Sequence, residues 1–198
     1  RTHRDADSVR TLVAILTTRG DQALSAEHEA LIEEAIGKHK KDVPLLEGLA
    51  GLWLQQERLD DAIVMYQRIL KLDPLRVQTM NNLAMTFSET KNRAAEGIEW
   101  IDRAIKIAGK NPELLDTKGV VLLKSGRMEE AVQAFQQAFD QTQEPRFLFH
   151  LIVTRIAQNR LDEAKQLWSE LDLDRLNPSG LTTSERAQLD AMKKEFSS

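Results

Sequence analysis

The sequence predicts an all-α chain of stacked helix pairs, and three observations carry that expectation. A spacing of about 34 residues recurs along most of the 198 residues and returns small and apolar side chains in fixed order. Aromatic residues make up 5% and charged residues 29%, with few Gly and Pro, which fits helices with solvated outer faces better than a β-sandwich. Asp73-Pro74, Asn111-Pro112, Glu144-Pro145 and Asn177-Pro178 punctuate the chain where helices should stop and restart.

Residues 1–8 form an N-terminal extension, and the repeating region runs over residues 9–178. Its first unit, 9–42, is degenerate: Leu12, Ile15, Leu16, Ile32 and Ala35 keep the apolar register, but Arg19 and His28 stand one period before Trp53 and Ala62. In the unit 43–76, Leu46, Leu49, Ala50 and Trp53 fall at helical spacing and predict a first helix that ends near Gln55. Asp60 and Asp61 then place negative charge at the start of a second helix, whose stripe of Ala62, Ile63, Tyr66 and Ile69 ends at Asp73-Pro74. The unit 77–111 repeats the order as Met80, Leu83, Ala84, Phe87, Gly97, Ile101 and Ala104. Leu115, Gly119, Leu122, Ala131, Phe135 and Ala138 do so in 112–144, and Leu148, Leu151, Ile152, Ala164, Trp168 and Leu171 in 145–178.

The period slips by single residues, and insertions in loops near Lys91–Arg93 and Gln141–Glu144 are expected to absorb the slips. Small residues at Ala50, Ala84, Gly119, Ala62, Gly97, Ala131 and Ala164 let helices approach closely, while Tyr66, Ile101, Phe135 and Trp168 fill the space between them. One pair cannot bury its own apolar face, so pairs must stack. In residues 179–198, Thr182-x-x-Glu185 is a capping-box pattern that opens a last helix reaching Phe196. Leu189, Met192 and Phe196 give that helix a limited apolar face, suited to closing the end of a stack.

The order of Trp53, Ala62-Ile63-x-x-Tyr66, Phe87, Gly119, Ala131-Val132-x-x-Phe135 and Ala164-x-x-x-Trp168, with the prolines between, resembles the tetratricopeptide repeat family. The resemblance covers most of residues 9–178. It implies a right-handed superhelical α-solenoid of about five helix-turn-helix repeats plus a C-terminal capping helix. It further implies a concave groove lined by the first helix of each pair, which receives a protein or an extended peptide.

Under that geometry the groove columns hold Asn81, Asn82, Met85 and Glu89, then Asp116, Val120, Leu123 and Lys124, then Arg146, Phe149, His150, Val153 and Ile156. Asn81 and Asn82 can match the amides of an extended peptide, because an Asn side chain both donates and accepts. Val120, Leu123, Phe149, Val153 and Ile156 either receive a partner's apolar side chains or pack against a neighbouring helix or the end helix. Some family members clamp a chaperone's terminal carboxylates with Lys, Asn and Arg; here only Asn82 fits, and Glu47, Gly51, Glu113 and Thr117 oppose or ignore an anion.

A net charge of -4 gives no broad basic footprint for nucleic acid. The absence of cysteine excludes thiolate chemistry, and no apolar run approaches the roughly 20 residues of a membrane helix. The chain reads as soluble, with the cytoplasm favoured and the periplasm compatible. It starts at Arg1 rather than Met, which is expected of a processed protein or a fragment. His3, His28, His39 and His150 form no metal motif, Asp172-x-Asp174 lacks the glycine and ligands of a calcium loop, and no serine stands in a Gly-x-Ser-x-Gly elbow. The expectation is a non-catalytic interaction scaffold without cofactor, capable of self-association. The alternative is a substrate-recruiting or regulatory region of a larger enzyme, such as a glycosyltransferase.

Overall fold

The computed structural model describes residues 6–18 and 24–196, and these are helical throughout apart from turns and one short 3-10 segment, Pro178–Gly180. Arg19 and His3 lie outside the described residues. The helices are α1 (Ala6–Thr18), α2 (Ala26–Lys38), α3 (Val43–Gln55), α4 (Leu59–Leu72), α5 (Val77–Glu89), α6 (Ala94–Ala108), α7 (Pro112–Lys124), α8 (Met128–Thr142), α9 (Pro145–Ala157), α10 (Leu161–Glu170) and α11 (Thr183–Phe196). They fall into two compact units, Arg1–Ile107 and Ala108–Ser198. In the first, α1 packs on α3, α3 on α4 and α4 on α5; in the second, α8 lies against both α7 and α9, and α9 against α10.

Local chemistry fixes where the helices start. Asp42 accepts from the Leu45 amide at 3.0 Å ahead of α3, and Asn111 accepts from the Leu114 amide at 3.0 Å ahead of α7, with Pro112 in the first turn. Thr182 and Glu185 complete the capping box before α11: the Thr182 amide donates to Glu185 at 2.7 Å, and the Glu185 amide donates to the Thr182 hydroxyl at 3.2 Å.

The turn inside each of four pairs has one design. A residue in the left-handed region, Glu57, Asn92, Gly126 or Asn159, is followed by an arginine, Arg58, Arg93, Arg127 or Arg160. Each arginine folds onto an acid three residues on, as Arg58 does to Asp61 at 2.7 Å and Arg93 to Glu96 at 2.7 Å. Arg58 also reaches Glu29 at 3.2 Å and Arg93 reaches Asp60 at 2.8 Å, so the same side chains bridge successive pairs. Their guanidinium groups cover the Trp53 and Phe87 rings at 3.9 and 4.7 Å. The α5–α6 turn, Thr90–Arg93, is one residue longer than its counterparts, as the expected insertion requires. Near Gln141–Glu144 the expectation of an insertion is corrected: only Gln143 and Glu144 join α8 to α9, and the slip there is a lost residue.

The repeat positions form the core, with Leu46, Leu49, Ala50, Ala62, Ile69, Met80, Leu83, Ala84, Ala131, Phe135 and Ile152 at or near zero exposure. In the first pair α2 keeps the expected register, with Ile32 and Ala35 buried, but α1 departs from it. Val9 and Val13 are the buried residues of α1, whereas Ile15 is 45% exposed, because α1 turns the Val9-Val13 face toward α3.

Gly119 is the tightest point. A Cβ there would lie 2.4 Å from the Phe135 ring, so α8 can lie against α7 only where α7 has no side chain. Gly51 of α3 differs, since a Cβ would meet nothing within 4 Å. Gly119→Ala is therefore expected to destabilise by about 1–3 kcal/mol through overpacking. Gly51→Ala should stabilise by about 0.5–1 kcal/mol through helix propensity. Denaturant midpoints of the two variants check this, and a shared sign would contradict it.

Candidate functional site

Helices α7, α9 and α11 of the second unit carry a ladder of charged side chains. On α9 the His150 ring is enclosed, 6% exposed, beside the rings of Phe135 and Phe149 at 5.2 and 5.8 Å. Its Nδ1 lies 2.6 Å from Asp116 Oδ1 on α7, and its Nε2 lies 3.1 Å from Glu185 Oε1 on α11. Both partners are acceptors, so the ring satisfies them fully only as a twice-protonated imidazolium. Burial opposes that charge, but the adjacent Asp116 and Glu185 carboxylates outweigh it and push the His150 pKa up to about 9. Burial likewise opposes the Glu185 carboxylate, yet the bonds from His150 and Thr182 hold its pKa down at about 2. Arg146 extends the ladder: it donates to Glu113 at 2.6 Å, and its Nε stands 3.7 Å from Asp116 Oδ2.

Asp116, Arg146 and His150 are thus brought together, and they bind one another and α11. Phe149 is corrected as a candidate contact. It is fully buried, so its ring serves packing. Val120, Leu123, Val153 and Ile156 are half-buried and follow Asp116 and His150 at intervals of three or four residues on α7 and α9, which keeps them on the same helix faces. Lys124 is exposed at the end of α7.

In the first unit Asn81, Asn82 and Met85 are half-buried on α5, and Glu89 is exposed at its end. Asn82 already accepts from Gln78 at 2.9 Å and hydrogen-bonds Tyr66. The Asn81 side-chain oxygen is buried with no hydrogen-bond partner among the described residues. Glu47, which the sequence would set against an anion, is neutralised by Arg76 at 2.5 Å. Arg10, Val13, Ala14 and Thr17 of α1 with Pro44, Gly48 and Gly51 of α3 line an apolar cleft.

The tetratricopeptide repeat pattern matches residues 54–112 and 117–174, more than half of the chain. The chain belongs to the tetratricopeptide repeat family. Solved structures show the same fold: a tetratricopeptide repeat protein from Parabacteroides merdae (TM-score 0.74, 13% identity, 87% of this chain and 66% of that one). MamA from Desulfovibrio magneticus gives 0.68, with 16% identity and 84% and 92% covered. PilW, a type IV pilus biogenesis factor, gives 0.66, with 18% identity and 86% and 77% covered. A curated relative, the CTR9 homolog of Arabidopsis thaliana, is 26% identical over an alignment 184 residues long that covers 80% of this chain. The chain spans 17% of that relative's length. Tetratricopeptide repeats support a protein-interaction scaffold role, and no described helix is long and apolar enough to cross a membrane.

Glu185 lies on the end helix α11, outside the repeats, and its Thr-x-x-Glu context marks it only as a cap, so the sequence does not single it out as a partner of His150. Asp116, His150 and Glu185 are separated by 34 and 35 residues, a spacing close to the repeat period that gives a signal in the sequence, although the lost residue between α8 and α9 puts His150 one position past the repeat equivalent of Asp116. The turn arginines carried the same signal.

The ladder gives stability a pH dependence. His150 is raised from 6.5 to about 9, so its contribution is full below pH 6.5 and is lost as pH rises through 9. Glu185 is lowered from 4.5 to about 2, so its contribution is full above pH 4.5 and is lost as pH falls through 2. The groups facing His150 are Asp116 and Glu185, with Arg146 behind Asp116. The wild-type melting midpoint is expected to fall between about pH 6 and about pH 9 by more than that of His150→Gln. Equal declines in the two proteins would contradict the ladder.

Proposed function

We propose that the chain is a non-catalytic scaffold that holds a protein or an extended peptide against the inner faces of its first helices. One observation carries the reading: Val120, Leu123, Val153 and Ile156 form partly exposed aliphatic surface on two adjacent inner helices, α7 and α9. Aliphatic surface in register beside a fixed row of charges can take apolar side chains from a partner while the charges set its position. The first unit adds Asn81, whose unsatisfied buried oxygen calls for a donor such as a peptide amide. Met85 and Glu89 share α5 with Asn81, and in the second unit Lys124 and Arg146 share α7 and α9 with the aliphatic residues.

Affinity capture from native lysate, read by mass spectrometry, tests the reading with wild-type and Val120→Glu, Val153→Glu baits matched for melting midpoint. Partners held by the wild type are expected to be lost from the variant. Identical captures would show that these surfaces do not bind.

A further inference from the structure

We propose that α11 is an internal ligand of the second unit, and that the place Glu185 fills beside His150 receives an acidic side chain from the first helical turn of a partner protein when α11 is displaced. The inference rests on the scaffold reading above and names the chemistry of its ligand.

The α7–α9 half of the ladder is built without α11. Asp116 satisfies His150 Nδ1 and stands beside Arg146, so only Nε2 turns to α11. Removing Glu185 leaves an enclosed cationic N–H donor without an acceptor, which is costly in an environment lined by Phe135 and Phe149. The vacated place therefore selects a carboxylate. Its shape selects a helix start: Glu185 reaches His150 with one oxygen while the other accepts from the Thr182 amide at 2.7 Å, an arrangement that a Thr-x-x-Glu helix start supplies.

The rest of α11 holds on lightly. Of its 14 residues only Leu189 and Met192 are buried, and Phe196 touches the Trp168 ring edge at 5.8 Å. Leu181 just ahead of it is also buried, and the covalent connection makes docking intramolecular. A partner helix with the same acidic start and a larger apolar face can replace it.

The test is fluorescence anisotropy with a labelled peptide copying residues 181–196 and the same peptide with Glu185→Gln. Each is titrated into the full wild-type chain, a Leu189→Asp chain that loosens α11 without touching the ladder, and a Leu189→Asp, His150→Gln chain. A Glu185→Ala chain provides a second way to loosen α11 if Leu189→Asp does not fold. The loosened chain is expected to bind the acidic peptide at least about tenfold more tightly than wild type. Either Glu185→Gln in the peptide or His150→Gln in the chain should remove at least about tenfold of that affinity, the scale of one buried charged hydrogen bond. Equal binding by wild-type and loosened chains, or equal binding of the two peptides, overturns the proposal. A wild-type dimer that the peptide dissolves would assign the place to α11 of a second copy and overturn a foreign partner. Should the peptides show no preference while the Val120→Glu, Val153→Glu bait still loses its partners, this inference falls and the scaffold reading stands.

Discussion

The spacing of α7 and α8 is set where the Phe135 ring lies against the bare Cα of Gly119. With no side chain on α7 at that point, the ring can fill the gap between helices and then reach His150 on α9. A methyl group at Gly119 would push the ring outward, and α9 rests on the same helix α8. Packing density makes such a contact unforgiving, since close-packed interiors transmit small displacements. The charged ladder depends on it, because the 2.6 Å bond from His150 to Asp116 spans the two inner helices that α8 supports.

Around that contact two kinds of cross-repeat tie do different work. At the turns, Arg58 and Arg93 reach acids of the preceding pair while covering Trp53 and Phe87. These ion pairs are partly exposed and contribute little each, so their value lies in fixing the turn and shielding the ring beneath. Between α7, α9 and α11, the Asp116–His150–Glu185 ladder centres on an enclosed ring, and there a missing partner is expensive. It joins α7, α9 and α11 and gives α11 a specific seat where its own two buried residues would give only a loose one.

Much of this was legible in the sequence. Ala50, Ala84, Gly119 and Ala131 could be placed in the core because a period of about 34 residues repeats the same packing problem, and the solution recurs with it. Asn111-Pro112 and Thr182-x-x-Glu185 announced their helix starts because capping is a local interaction. The failures share a cause as well. Phe149 and His150 are neighbours about 100° apart on one helix, and whether His150 meets water depends on Phe135 and α11, which no local pattern specifies. Ile15 failed for the same reason, since α1 lacks the full repeat signature and its buried face is chosen by its packing on α3.

The protonation of His150 tests the account most directly, because it exists only if Asp116 and Glu185 both accept from one enclosed ring. A nitrogen-15 NMR titration of the imidazole is the measurement. The account predicts that both ring nitrogens carry protons at neutral pH and that the ring titrates near 9. A neutral ring titrating at or below the ordinary 6.5 would contradict it, and with it the seat assigned to α11.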